Sequence, residues 1–119
     1  MENLKLFDAE YRFMNVLWEH EPVNSTELVR LCLDRFEWKK STTYSMIKRL
    51  SERSVLKNEN AIVMALVKKE DVQKYESEVL LEKTFDNSLP VFLTAFLRDK
   101  KLSKSESEKL KKMIEEATK

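Results

Sequence analysis

None of the 119 residues is glycine, and that absence constrains the backbone more than any motif does. Glycine enters left-handed backbone without steric cost, so hairpin turns and helix ends usually draw on it. Here every such position must be filled by Asn, Ser or Lys. A chain under that restriction is expected to have few tight turns and to be mostly helical. Charged residues at 36% and hydrophobic residues at 42% fit a helix-rich globular protein and not a disordered tail. The length allows one compact core, or a small domain with a helical extension.

The first helical pattern carries Tyr11, Met14, Val16, Leu17 and Trp18 before Pro22 stops it, with Asp8 placed to cap a helix beginning at Ala9. Asn24 followed by Glu27 has capping-box spacing, and Leu28, Leu31, Cys32 and Phe36 then repeat at helical intervals. A second helix is therefore expected over 25–36, with 37–40 as a connection. The third helix runs from about Ser41 to Arg53, because Thr43, Met46, Ile47 and Leu50 fall at i, i+3, i+4 and i+7 and give it one apolar stripe.

The third helix also concentrates charge. Between Trp38 and Lys57 the chain holds Lys39, Lys40, Lys48, Arg49, Arg53 and Lys57 against Glu52 alone, on a whole-chain net charge of only +1. A local positive patch on a near-neutral background is the electrostatic footprint of a nucleic-acid binder. The polar side of the helix carries Ser41, Thr42, Tyr44, Ser45 and Lys48, groups that suit base edges, while Lys39, Lys40, Arg49, Arg53 and Lys57 suit phosphates.

Beyond Arg53 a β-branched and apolar run over 61–67 follows Val55–Lys57 across Asn58, Glu59 and Asn60. This reads as a small hairpin turned by Asn58 and Asn60, which tolerate left-handed backbone best where glycine is lacking. A hairpin directly after the third helix of such a unit is the wing of a winged helix. From Glu70 the pattern is helical again to about Asp86, with Val72, Tyr75, Val79 and Leu80 on one face. Asn87, Ser88 and Pro90 then signal a new helix start. The segment 89–97, LPVFLTAFL, is apolar nearly all round, and Ser103 with Glu106 opens a charged helix whose Leu110, Met113, Ile114 and Ala117 form a narrow stripe. Such surfaces call for a partner, and a second copy of the chain is the expected one. The fold expected is thus mainly α: a winged helix-turn-helix domain over 1–69, with three helices and a small hairpin wing, followed by dimerisation helices over 70–119.

Other chemistry finds little support. One histidine, His20, lies at a helix end and one cysteine, Cys32, lies in an apolar stripe, so neither a nucleophile and base pair nor a metal cluster is expected. No cofactor is expected, and without glycine there is no Gly-rich phosphate loop. The single cysteine permits no internal disulfide, no apolar run approaches 18 residues, and the N-terminus lacks a basic-then-apolar signal region. A cytoplasmic protein is the expectation.

The motifs together resemble the penicillinase-repressor family, the BlaI/MecI type of bacterial winged-helix repressors, over essentially the full length. Glu10, Met14, Leu17 and Trp18 match its E-x-x-x-M-x-x-L/I-W opening, and Trp38 precedes the recognition helix as the family's Trp does. Thr42, Met46, Ile47, Arg49 and Leu50 follow T-x-x-x-L-L/I-x-R-L, with Met for Leu. Ala65, Leu66 and Val67 resemble the end of the wing. Phe96, Leu97, Leu102, Ser103 and Leu110 resemble the F-L/V-x-x-x-x-L-S dimerisation region.

The resemblance implies a homodimeric repressor on a TACA/TGTA-like palindromic operator, with Leu89, Phe92, Leu93, Phe96, Leu97, Leu110, Met113 and Ile114 at the dimer interface. It also implies a membrane sensor-protease that signals release, with the repressor cut in its C-terminal dimerisation helices just before a Phe. The matching bond here joins Ala95 to Phe96, where the family often carries Asn. Three further departures stand out. Ser54 replaces the glycine that usually ends the recognition helix, so that cap must be strained or closed differently. The wing is shorter and lacks the family's basic and tyrosine residues. Ser107 stands at a position that is apolar in relatives. The paired Cys-x-Cys motifs of the copper-responsive branch are absent, so copper sensing is not expected. The rival reading is a winged helix that binds protein, as an antirepressor or assembly module, which the reduced wing and modest net charge favour.

Overall fold

The computed structural model describes residues 4–119. Its elements run α1 (Asp8–His20), β1 (Val23–Asn24), α2 (Ser25–Phe36), α3 (Lys40–Glu52), β2 (Leu56–Glu59), β3 (Ile62–Ala65), α4 (Lys69–Thr84), α5 (Leu89–Leu97) and α6 (Lys104–Thr118). Two compact units divide within α4, one ending at Val79 and the other spanning Leu80–Lys119. The division falls later than the expected change at 69/70 because Val72, only 1% exposed, joins the first unit's core and Glu76 accepts from the Leu6 N–H at 3.4 Å.

The first unit packs α1, α2 and α3 around Phe13, Met14, Leu17, Leu28, Cys32, Met46, Ile47 and Leu50, closed by Val55, Leu56 and Val63 from the hairpin. The apolar stripe of α3 is buried as its spacing requires, with Thr43, Met46, Ile47 and Leu50 at 4% exposure or less. Helix α1 begins one residue before the expected start, and Asp8 lies inside it. Phe7 is the N-cap residue, and the Glu10 carboxylate accepts its N–H at 2.8 Å. Asn24 caps α2 by accepting from the Thr26 N–H, while Glu27 pairs with Arg30 and does not complete a capping box.

The wing is a three-stranded antiparallel sheet in the order β1-β3-β2. Val23 pairs with Val63 on one side, and Leu56 through Glu59 pair with Ala65 through Ile62 on the other. A two-residue strand such as β1 leaves no period-2 signal to find. The turn uses Asn60 at φ 53° and Ala61 at φ 66°, whereas Asn58 lies in the strand opposite Val63. This is the two-residue hairpin geometry that needs positive φ at both central positions. Among the described residues Glu37, Ser54, Asp86, Asn87 and Asp99 also take positive φ.

In the second unit, Ser88 caps α5 through the Val91 N–H and Ser103 caps α6 through the Glu106 N–H. Neither helix contains a buried residue.

Candidate nucleic-acid interface

The placement of α3 begins with Trp38. Its ring lies parallel to Phe13 with centroids 6.3 Å apart and sits 5.0 Å from Phe36, while Glu37 in left-handed backbone ends α2. The connection is therefore fixed by aromatic packing at one end and a helix cap at the other. The first turn of α3 carries no acidic residue and no side-chain cap. Its unsatisfied N–H groups, beside Lys39 and Lys40, form an end suited to an anion.

With the apolar stripe inward, Ser41, Thr42, Ser45, Lys48 and Arg49 are all exposed. Tyr44 is half-buried beneath Lys40, whose Nζ lies 5.9 Å from the ring centroid. A shallow groove of about 240 Å³ runs along this face, lined by Ser41, Thr42, Ser45, Met46 and Arg49. Four of the five residues read as base contacts are thus fully presented, and Lys39 and Lys40 stand at the helix entrance, also exposed.

The two arginines are less free than their charge suggests. Glu10, 1% exposed, places Oε2 at 3.1 Å from Arg49 Nε and Oε1 at 3.1 Å from Arg53 Nη1. Arg53 donates in addition to the Lys5 carbonyl. A buried carboxylate is sustained only by such partners. From sequence alone Glu10 has no role beyond a family motif position, because a charged residue in an amphipathic helix reads as surface; its falling on the same face as Phe13, Met14 and Leu17 is the available signal. Lys57 is half-buried, with Nζ 3.8 Å from Glu59, so the wing's one strand cation faces an anion. On the same face of the hairpin, Ile62 opposite Glu59 and Met64 opposite Lys57 are exposed, as is Leu66 just beyond β3.

Burial pushes the Cys32 thiol up, offset in part by the Thr43 hydroxyl and Arg35. That suits a structural residue and not a nucleophile. Among the described residues no group of three His, Cys, Asp or Glu side chains could hold a metal ion. No described helix is long and apolar enough to cross a membrane.

Within the second unit, Leu89, Phe96, Leu110, Met113 and Ile114 are exposed. Phe92, Leu93 and Leu97 are half-buried; the Phe92 ring lies 5.1 Å from Phe85 and 5.6 Å from Phe96. Ala95 is also exposed.

Three helices closed by a paired hairpin, with the polar face of the third helix uncovered, define a winged-helix protein. The sequence profile of the penicillinase repressor family matches residues 6–116, and the chain belongs to that family. It is 23% identical over 116 residues to the penicillinase repressor of Bacillus licheniformis, covering 94% of this chain and 91% of that one. It is 23% identical over 115 residues to the penicillinase repressor of Staphylococcus aureus, covering 93% and 91%. The fold resembles the solution structure of the Bacillus licheniformis BlaI monomeric form in complex with the blaP half-operator, with a TM-score of 0.52 and 24% identity over 60% of this chain and 93% of that one. The DNA-binding domain of the repressor BlaI gives a TM-score of 0.51 at 24% identity over the same shares.

Proposed function

We propose that this protein is a transcriptional repressor that binds duplex DNA through α3 and does so as a homodimer on a palindromic operator. The observation that carries the reading is the α3 face itself: Ser41, Thr42, Ser45, Lys48 and Arg49 stand exposed while the opposite stripe is buried. Small hydroxyl groups flanked by cations on a rigidly held helix match a major groove, where base edges are read and phosphates fix register. Membership of the penicillinase repressor family and the likeness to a repressor bound to its half-operator support the same function.

In this reading Ser41, Thr42, Tyr44, Ser45 and Lys48 contact bases or lie near them, Lys39 and Lys40 meet phosphates, and Arg49, read from the sequence as a phosphate contact, walls the same groove within reach of base edges as well as phosphate. Arg53 and Lys57, read from the sequence as phosphate contacts, contribute less, since Arg53 is held by both Glu10 and the Lys5 carbonyl and is less exposed than Arg49, and Lys57 is half-buried beside Glu59. The exposed apolar side chains of α5 and α6 support self-association, which turns the second half-site contact into an intramolecular event. Ala95 and Phe96 are exposed in α5, so a sensor-protease that opened this helix would meet the bond between them at the surface. The deciding experiment measures binding to duplex DNA against salt, where neutralising Z phosphates gives a log-log slope near −0.9Z. Absence of any salt-dependent binding at low ionic strength overturns the proposal.

The second reading, a protein-binding winged helix, is favoured by the wing. Its outer face presents Ile62, Met64 and Leu66, and Glu59 at its tip repels phosphate. Loss of this function on substituting those three residues, with DNA binding absent, would establish it.

A further inference from the structure

Arg49 of α3 and Arg53 at its C-cap converge on one buried carboxylate. Glu10 Oε1 accepts from the Phe7 N–H at 2.8 Å and from Arg53 Nη1 at 3.1 Å, and Oε2 holds Arg49 Nε at 3.1 Å. Arg49 is held at a second point, its Nη2 lying 3.3 Å from Met46 Sδ. The side chain is nevertheless 57% exposed. Arg49 also walls the groove that Ser41, Thr42 and Ser45 line.

Two effects follow from these contacts. A guanidinium gripped at Nε and Nη2 presents its remaining edge in one orientation, and a fixed planar fork discriminates among acceptors that a freely rotating one does not. One buried anion between two cations also leaves a net charge of only +1 beside the groove. Releasing both arginines would strengthen contact with any phosphate backbone alike.

We infer that Glu10 is a specificity-determining positioning residue: it aims Arg49 along the reading groove and cancels one of the two arginine charges, which favours selected sequences over random duplex. The inference rests on the DNA-binding reading above. Glu10 itself touches no nucleic acid; it acts through Arg49 and Arg53.

The test uses the full chain and three variants, E10Q, R53Q and E10Q/R53Q, titrated with a random-sequence duplex and with duplex selected by the unaltered protein, across a salt series. Glu10→Gln keeps an acceptor for the Phe7 N–H and raises the cluster from +1 to +2. It is expected to steepen the salt slope on random duplex by about 0.9 and to lower the ratio of selected to random affinity several-fold. The double variant returns the cluster to +1. Its slope should match that of the unaltered protein while its selectivity stays low, because Arg49 remains unheld. R53Q keeps the Glu10 grip on Arg49 and should retain selectivity with a shallower slope. A merely structural Glu10 changes stability and leaves slope and ratio alone, and that result overturns the inference. Should E10Q alone fail to fold, the contrast between R53Q and the double variant still decides, since they differ only at Glu10. Equal selectivity in those two overturns the inference. Absence of salt-dependent binding by the unaltered protein overturns the DNA-binding reading and this inference together, and is recognised from that arm alone.

Discussion

The backbone N–H of Val55 donates to the Leu50 carbonyl at 2.9 Å, and between them Ser54 sits at φ 60° with its own N–H on the Ser51 carbonyl at 3.0 Å. These two bonds are the six-to-one and five-to-two pair that closes a helix with a left-handed residue. The closure that glycine usually makes is therefore made here by serine, at the steric cost of its Cβ. Ser54→Gly is expected to stabilise the first unit by about 1 kcal/mol, the strain relieved less the extra freedom of the unfolded chain. The midpoint of urea unfolding followed by tryptophan fluorescence reports it; a lower midpoint in the variant contradicts the account.

Lys40 and Ser45 should behave differently although both lie on α3. Lys40 stands at the helix entrance above Tyr44, and Ser45 lines the groove. Lys40→Gln is expected to weaken binding to all duplexes alike and make the salt slope shallower by about 0.9, while Ser45→Ala should change sequence preference with the slope intact. Filter binding across salt, with selection from random duplex, separates the two, and the reverse outcome exchanges their roles.

Glu59 lies 3.8 Å from Lys57 and is 71% exposed. Glu59→Lys replaces an anion at the wing by a cation, so tighter binding and a slope steeper by about 0.9 or more are expected where the wing approaches the backbone. An unchanged slope in the same titration shows that the wing stays clear of phosphate.

Phe96 is 52% exposed on α5. Phe96→Asp places a carboxylate in the proposed contact between copies, and a charge buried without a partner there is costly enough to separate them. Sedimentation at micromolar concentration is expected to show a monomer whose near-ultraviolet spectrum from Trp18 and Trp38 is unaltered. A variant that still sediments as a dimer refutes the assignment of these helices.

Cys32 supplies a pH dependence. Its folded thiol is raised by burial. Below the ordinary thiol range, about 8.5, both folded and unfolded chains hold the proton. As pH rises above that, the unfolded chain releases it first, so the unfolded state gains and stability falls. Cys32→Ala removes this component. The stability difference between the natural chain and the variant should therefore narrow from pH 8 upward in urea titrations, and a constant difference contradicts it.

The stripe Thr43, Met46, Ile47 and Leu50 was legible because burial on one side of a helix writes a 3.6-residue period into the sequence. The exposure of Ser41, Thr42 and Ser45 follows from the same phase. Glu10 was not legible in its physical role, since its partners Arg49 and Arg53 lie some 40 residues away and no local pattern encodes a long-range ion pair. Charge counting consequently credited both arginines to DNA. Asp8 has the residue type a cap favours, but Phe7 occupies the cap, and the Glu10 carboxylate accepting the Phe7 N–H decides the helix start. The turn at Asn60 and Ala61 was half visible: Asn is a usual left-handed residue, Ala is not.

The short strand β1 ties the hairpin to the start of α2 through Val23 opposite Val63, and the Ser25 N–H bonds the Ala61 carbonyl at 2.8 Å. The hairpin is thus anchored at its tip as well as its base. Whatever ordering it requires is completed as the polypeptide folds, and a docking surface meets a rigid prong set at one angle to the neighbouring helix. Association through it forfeits little chain freedom, so differences in tightness among targets should trace to their shape and charge and not to adaptation by this prong.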